Sequence, residues 1–304
     1  MKINRRDFLK TTALTSMYFA GFGVPTFANS GTKKNLVVVM LRGGMDGLCA
    51  VPIKDDKNFE KLRSKINLDK TLRLTGDFDL HPVLKKFKSL WDQNQGAIVH
   101  ATNIPYTGRS HFDGQNLMES GGKIPYQVKT GWLGRGMKTA GLNGKGLALA
   151  LPMPLLIRGV PMNNNYFPVG DRLPSNDTLN LIDQVYKEHD EKLLGENLKI
   201  IMTRELRNTA SDNSWVLASN AGQELSKTNG PRVAVFEVDG FDTHAAQGAT
   251  NGAHADCLND YDKILKGLNQ SMSKESFDNT LIVTLTEFGR TIKQNSSNGT
   301  EHGY

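Results

Sequence analysis

Cysteine is scarce in this sequence, since Cys49 and Cys257 are the only two among 304 residues. Two cysteines fix no disulfide framework, and they could either pair in an oxidising compartment or remain as two separate buried thiols. Beyond residue 28 there is no dense stripe of lysine and arginine with interleaved aromatic residues, so nucleic acid is not an expected partner. Internal repeats, low-complexity tracts and clear linkers are also absent. A single domain is the simplest organisation.

The overall composition is that of an ordinary globular protein. Charged residues make up 22% of the chain and hydrophobic residues 38%, values that argue against a disordered protein. The length suits one large α/β domain or two small ones.

The N-terminal segment resembles an export signal rather than part of the fold. Residues 4–10 read Asn-Arg-Arg-Asp-Phe-Leu-Lys, with Arg5 and Arg6 as the pair of a twin-arginine signal, and a moderately apolar stretch follows. Small residues precede a predicted cleavage after Ala28. The stretch is too short and too polar for a stable membrane span. An amphipathic N-terminal helix is the alternative.

Export has consequences for the rest of the chain. We expect residues 1–28 to be the signal peptide and residues 29–304 to form one domain, periplasmic or otherwise exported, with the twin-arginine translocase as its partner during export. The signal carries four basic residues against one acidic residue, so removing this net +3 lowers the formal charge from +6 to +3. Because this pathway moves folded proteins, it also points to a prosthetic group.

Residues 36–47 predict the central strand. After Leu36 come five apolar residues without a polar interruption, which is typical of a strand buried on both faces of a parallel sheet. Gly43 and Gly44 then allow a sharp turn, and Asp46 follows at the sheet edge where α/β proteins bind ligands. Alternatively, Asp46 is an ordinary turn residue.

The remaining pattern alternates strands and helices. A strand at 97–100 after a helix at 83–92 would complete a βαβ unit with the first strand, and a helix is expected to end at Ser120, before two glycines. We therefore expect an α/β domain with a parallel sheet. The other predicted elements are strands at 144–151, 154–157, 232–238 and 280–285, helices at 178–188, 194–210 and 254–272, and a long loop at 162–175.

Acidic, hydroxyl and imidazole side chains follow several of these strands. Parallel strands deliver their carboxyl ends to one edge, so groups distant in sequence could converge there on a divalent metal ion. A serine among them could act as a metal-activated nucleophile. The candidate groups are Asp46, Ser110-His111 with Asp113, Asp239 to His244, Glu287 with Arg290, and Glu301-His302.

Each candidate also has a plain structural interpretation. Ser110 suits a helix N-cap, and His111 is more often a local hydrogen-bonding or packing residue than a metal ligand. Asp239 to His244 could form an Asx-type turn. Arg290 could hold an anion or simply pair with Glu287. The histidines treated as structural are His81, His100, His189 and His254.

Five ordered motifs resemble the bacterial family called domain of unknown function 1501 (DUF1501). Its members are commonly exported through a twin-arginine signal. The family is grouped with the alkaline phosphatase-like fold, so the resemblance implies a doubly wound, mostly parallel α/β sheet of that type. The motifs are Leu-Arg-Gly-Gly-Met-Asp-Gly (41–47), Arg-Ser-His-Phe-Asp (109–113), Val-Asp-Gly-Phe-Asp-Thr-His (238–244), Thr-Glu-Phe-Gly-Arg-Thr (286–291) and Gly-Thr-Glu-His-Gly (299–303).

The resemblance implies a metal-dependent phosphate or sulfate ester hydrolase with two divalent ions beside a nucleophile. Zinc or manganese is the implied metal, with calcium as a further candidate. By this resemblance Ser110 is the nucleophile, Arg290 or Arg109 steadies the anion, and Asp46 is the first-strand ligand. The remaining implied ligands are Asp242, His244, Glu287 and His302.

The sequence also departs from the family pattern. Phe288 follows Glu287 where relatives usually have a histidine after an aspartate, and Glu301 replaces the more usual aspartate. Relatives continue well past the last motif, so the chain resembles a C-terminally truncated member with an incomplete sheet. The alternative function is therefore a non-catalytic periplasmic or cell-surface binding protein that reuses the fold.

Overall fold

The computed structural model describes residues 33–150, 152–165, 176–189 and 214–303, together with Lys192, 194–196 and Leu198. Their main feature is a parallel sheet of five strands in the order β5-β4-β6-β1-β7, beside an antiparallel hairpin of β2 and β3. The strands are Asn35–Leu41 (β1), Leu72–Thr75 (β2), Phe78–Leu80 (β3), Gly146–Leu149 (β4), Asn164–Asn165 (β5), Val233–Val238 (β6) and Thr280–Leu285 (β7). The fold is thus mixed α/β, as the alternating pattern predicts.

Helices connect the strands and cover both faces of the sheet. One turn of 3-10 helix, Leu155–Ile157, lies between β4 and β5. The α-helices are Gly47–Ala50 (α1), Lys57–Leu62 (α2), Lys85–Asp92 (α3), His111–Ser120 (α4), Trp132–Thr139 (α5), Asn176–Glu188 (α6), Ser214–Ser226 (α7), Ala253–Ser271 (α8) and Lys274–Asp278 (α9).

Strand β1 forms the centre of the core. It pairs in parallel with β6 on one side and β7 on the other. Val37 and Val39 point to a cluster that includes residues of α7 and α8, whereas Val38 and Met40 point to a cluster with residues of α4 and α5. Alternate residues of a strand face opposite sides, so an uninterrupted apolar run is needed here. The prediction of a doubly buried first strand is confirmed.

The predicted strand at 97–100 is wrong. These residues form no strand; Val99 is 75% exposed and His100 stacks on Phe78 with ring centroids 4.3 Å apart. Both neighbours of β1 come from much later in the chain, so no βαβ unit spans residues 36–100. A four-residue apolar run carries too little periodicity to show whether it enters a sheet. Similarly, the predicted strand at 154–157 is the 3-10 turn.

Two other predictions meet the structure only in part, and two more fall on residues that the structure does not describe. Strand β7 has the predicted bounds, but it pairs only with β1 among the described residues and its Leu281 is 59% exposed, so it is an edge strand rather than a buried one. The expected loop at 162–175 contains the short strand β5 before residue 166. Residues 1–32, which include the predicted signal, and most of the predicted helix at 194–210 lie outside the described residues.

The two cysteines are not joined. Cys49 is a buried free thiol and Cys257 a partly buried one, so the separate-thiol alternative describes this fold. Burial raises the pKa of Cys257 to about 11. Among the described residues, no helix combines the length and the apolar character needed to cross a lipid bilayer.

Candidate metal centre

Four side chains converge where the segments after β6 and β7 meet the start of α4. They are His111, Asp242, His244 and His302, which we call the His–Asp centre, and one ligand atom from each lies within 4.8 Å of the others. The His302 Nε2 atom lies 2.8 Å from Nε2 of both His111 and His244. Asp242 Oδ1 lies 3.1, 3.0 and 3.3 Å from Nε2 of His111, His244 and His302.

Local structure explains how these four residues reach one point. His111 is the first residue of α4, which is N-capped by Ser110, whose Oγ accepts a hydrogen bond from the Asp113 amide. Asp242 and His244 lie in the loop after β6. His302 forms an antiparallel bridge with Arg290, beyond β7. Three separate segments therefore bring their side chains to one end of the sheet, as the convergence argument predicts.

The Nδ1 atom of each of the three histidines lies against a hydrogen-bond acceptor. His111 Nδ1 lies 2.8 Å from Glu287 Oε1, His244 Nδ1 lies 3.2 Å from Glu301 Oε2, and His302 Nδ1 lies 2.7 Å from the Arg109 carbonyl oxygen. A carbonyl oxygen can only accept, and an ionised carboxylate likewise, so each Nδ1 must carry the proton. In the neutral rings, every Nε2 atom then presents a lone pair to the His–Asp centre.

This arrangement suits a metal cation. Unprotonated nitrogens 2.8 Å apart cannot hydrogen-bond to each other, so without a cation between them their lone pairs repel. Tetrahedral zinc with bonds of about 2.0–2.1 Å requires ligand atoms roughly 3.3 Å apart. Five of the six distances between the four ligand atoms are 2.8–3.3 Å, within a few tenths of an ångström of that geometry, and the sixth, between Nε2 of His111 and of His244, lies within the 4.8 Å that bounds the whole set. Acceptors behind each histidine are also the usual support of metal-bound imidazole.

Arg290 fixes Asp242 from behind. Its side chain is fully buried, and it donates to Asp242 Oδ1 at 2.6 Å and to the carbonyls of Gly44, Phe241 and Thr300 at 2.7–3.1 Å. Burial opposes ionisation of Asp242, but the hydrogen bonds from Arg290 and His302 and the nearby positive charge together outweigh it and lower the pKa of Asp242 to about 2. In this fold the Arg290 guanidinium is engaged by Asp242 and main-chain carbonyls, and its role in holding a substrate anion stays a prediction.

Glu287 lies behind His111 rather than among the converging atoms. It is fully buried, and its Oε1 atom accepts hydrogen bonds from the Gly43 amide at 2.8 Å and Gln115 Nε2 at 2.9 Å as well as from His111. Burial opposes its ionisation, but these hydrogen bonds outweigh that effect and lower the pKa of Glu287. Glu287 therefore orients a candidate ligand instead of being one.

Asp46 lies outside the His–Asp centre. Its buried carboxylate forms two hydrogen bonds with Arg63, at 2.6 and 3.0 Å, and a third with Gln247 Nε2 at 2.7 Å. It also caps α1 by accepting from the Cys49 amide. Burial works against the charge, yet the nearby Arg63 guanidinium lowers the pKa of Asp46. Asp46, which the resemblance implies as the first-strand metal ligand, is thus paired with Arg63 in this fold.

Comparison with known families adds one finding. Residues 205–304 match the family model described as "Protein of unknown function (DUF1501)". The DUF1501 match supports the resemblance drawn from the motifs, and it contains Asp242, His244, Glu287 and His302, whereas His111 lies before it. A search of curated proteins found no match.

His111 is the member of the His–Asp centre that the plain interpretation of the sequence misses. His111 is the first residue of α4, and the start of this helix lies at the ligand-binding end of the sheet. This position is the signal by which the sequence could have identified His111. Ser110, the predicted nucleophile, precedes it and is the N-cap of α4, as its structural interpretation anticipates. Arg5, Arg6 and the cleavage position Ala28 lie outside the described residues.

Proposed function

We propose that the chain holds one divalent metal ion in the His–Asp centre. The observation that carries this proposal is the convergence of three Nε2 lone pairs and Asp242 Oδ1, with every Nδ1 atom held by an acceptor. A second ion of the kind found in two-metal hydrolases has no equivalent support, because the Asp46 carboxylate is already neutralised by Arg63.

The donor set favours zinc among the metals implied by the resemblance. Three imidazoles and one carboxylate match the nitrogen-rich preference of zinc, whereas calcium takes six to eight oxygen ligands. Manganese binds carboxylates and water more readily than a set dominated by imidazole. We therefore assign zinc as the first metal to test.

We propose further that this metal centre serves hydrolysis of a phosphate or sulfate ester. A bound divalent ion would act as a Lewis acid toward an ester oxygen. Around it, Glu287 holds the His111 ring, and Arg290 holds Asp242 in its ionised form. Ser110 Oγ lies at the N-terminus of α4, where main-chain N–H groups and the helix dipole favour negative charge.

The experiment is an ester screen on purified, zinc-loaded protein. We expect hydrolysis of a chromogenic phosphate or sulfate monoester that stops on chelation and returns with zinc, and a loss of at least about 100-fold in kcat in Ser110→Ala if its hydroxyl takes part. Ser273→Ala is the matched control, because Ser273 also N-caps a helix, α9, through its side chain. Equal activities in both variants would assign Ser110 to helix capping alone.

One observation favours a non-catalytic metal protein as the second candidate. The centre offers four protein ligand atoms, the number found in closed structural zinc sites, whereas catalytic zinc sites use three protein ligands and keep a position open. Such a protein would bind a cell-surface or secreted partner through the same fold. Zinc binding without hydrolysis of any ester in the screen would support this candidate.

We also propose export through the twin-arginine pathway and an alkaline phosphatase-like variant of the α/β fold. The arginine pair at residues 5 and 6 supports the first proposal. The parallel sheet with helices on both faces, and the site at one end of it, support the second. Export is tested by fusing residues 1–28 to a reporter and replacing both arginines with lysine, which should abolish translocation.

A further inference from the structure

A cavity of about 610 Å³, open to solvent, lies beside α4. Phe112, Gln115 and Glu119 of α4 line it, together with Arg42 after β1 and Glu237 in β6. Its volume falls within the range of roughly 300–1,000 Å³ that is usual for small-molecule sites. The cavity lies at the ends of the two central strands, where α/β sheets bind ligands.

The three most buried charged residues of the lining, Arg42, Glu119 and Glu237, which we call the floor, are paired with one another. Arg42 donates to Gln115 Oε1 and to Glu119 Oε1, both at 2.9 Å, and it also pairs with Glu237. The other Glu119 oxygen accepts from the Leu156 amide at 2.9 Å. A charged ligand group placed on this floor would have to break an existing ion pair, which is costly for partly buried charges.

By area the lining of the cavity is mainly apolar, although the exposed basic residues Lys129 and Arg158 also line it. Aliphatic and aromatic groups exclude water and are suited to bury an uncharged organic group at about 25 cal/mol per Å² of apolar surface. These wall residues are Phe112, Val128, Pro152, Met153, Pro154 and Leu155.

Gln115 joins the cavity to the His–Asp centre. Its Nε2 atom donates to Glu287 Oε1 at 2.9 Å, and the same oxygen accepts from His111 Nδ1 at 2.8 Å. The cavity wall and the candidate metal ligand are therefore separated by one shared carboxylate. Phe112, which lines the cavity, also directly follows His111 in α4, so the cavity and the centre share this end of the helix.

We propose that this cavity takes the uncharged aryl or alkyl group of an ester whose anionic end lies at the His–Asp centre. The inference rests on the proposed metal-dependent function, since the centre must hold the anion. It assigns specificity for the organic group to Phe112, Val128 and Met153 and leaves the anion to the metal centre.

The test compares two non-hydrolysable anions on zinc-loaded protein. Phenylphosphonate and methylphosphonate share an anionic group and differ in organic group, so calorimetry measures the effect of the cavity. We expect phenylphosphonate to bind at least about 10-fold more tightly, because burying a ring removes substantial apolar surface from water. Phe112→Ala and Met153→Ala should each reduce this ratio, while zinc content and methylphosphonate affinity stay unchanged.

Leu281→Ala is the matched control, because Leu281 is an exposed apolar residue of β7 outside the cavity. It should leave the ratio at the wild-type value. A zinc-loaded protein with equal affinities for the two anions, or with no affinity for either, would overturn the cavity assignment and leave the metal centre standing. A protein that binds no zinc would overturn the proposed function, and this inference with it.

Discussion

Each histidine of the His–Asp centre is oriented by a different kind of acceptor. His111 is held by a fully buried carboxylate, His244 by the half-exposed carboxylate of Glu301, and His302 by a backbone carbonyl. A buried carboxylate interacts more strongly with its imidazole than a solvated one, because water screens the latter. These differences in burial predict different contributions to metal affinity.

Replacing Glu287 with Gln should weaken zinc binding about 10- to 100-fold, because the charged support of His111 is lost. Glu301→Gln is the matched change on His244 and should have a smaller effect, since the side chain of Glu301 is 52% exposed. Competition with a chromogenic chelator measures both affinities. A larger loss in Glu301→Gln than in Glu287→Gln would contradict this account of the centre.

At the scale of elements, the turn after β1 packs directly against the loop after β6. Gly43 has φ +112°, and a Cβ atom there would lie 2.4 Å from the Asp242 amide nitrogen. Arg290 ties the same two segments together through their carbonyl oxygens. The position of Asp242 therefore depends on the absence of a side chain at Gly43.

Gly43→Ala should lower the free energy of unfolding by more than about 2 kcal/mol and weaken zinc binding as the Asp242 loop is displaced. Gly76→Ala is the control, because Gly76 also has a positive φ, +53°, but a Cβ there meets no atom within 4 Å. It should cost only about 1 kcal/mol and leave zinc affinity intact. If urea denaturation shows the same loss of stability in both variants, the close approach of Gly43 to the Asp242 loop does not contribute to stability.

Some of the secondary-structure elements could be predicted from the sequence alone and others could not. Strand β1, strand β6 and helix α8 follow from long apolar patterns, since tertiary contacts and local pattern agree there. The short run at 97–100 and the hairpin of β2 and β3 do not, because four residues fit several environments. Asp242, His244 and His302 are identified by their places beyond strands, but the partner of Asp46 is not, because Arg63 reaches it only in the folded chain.

For the whole molecule, buried histidine links stability to pH. His254 is completely buried, and its Nε2 atom accepts a hydrogen bond from the Asp46 amide at 3.3 Å. Burial lowers the pKa of His254 from 6.5 to about 4. Between these values the unfolded chain binds more protons than the folded one, so stability is lost as the pH falls from about 6.5 to about 4.

Across that pH interval, the lowered pKa of His254 should reduce the free energy of unfolding by about 3 kcal/mol. Because Gln cannot be protonated there, His254→Gln should flatten the pH dependence relative to the wild type, whereas His100→Gln, at an exposed position, should not. Urea unfolding of chelator-treated protein at pH 4 to 7 measures the difference between the curves. Parallel curves for the wild type and His254→Gln would contradict the assignment.

The most direct test of the metal centre is the number of zinc ions per chain, measured by mass spectrometry under native conditions. The geometry predicts one ion in the wild type, none in His111→Ala, and one in Asp46→Asn provided that circular dichroism shows this variant to be folded. A wild type without zinc, or zinc that survives His111→Ala and is lost from folded Asp46→Asn, would contradict the His–Asp centre as the metal site.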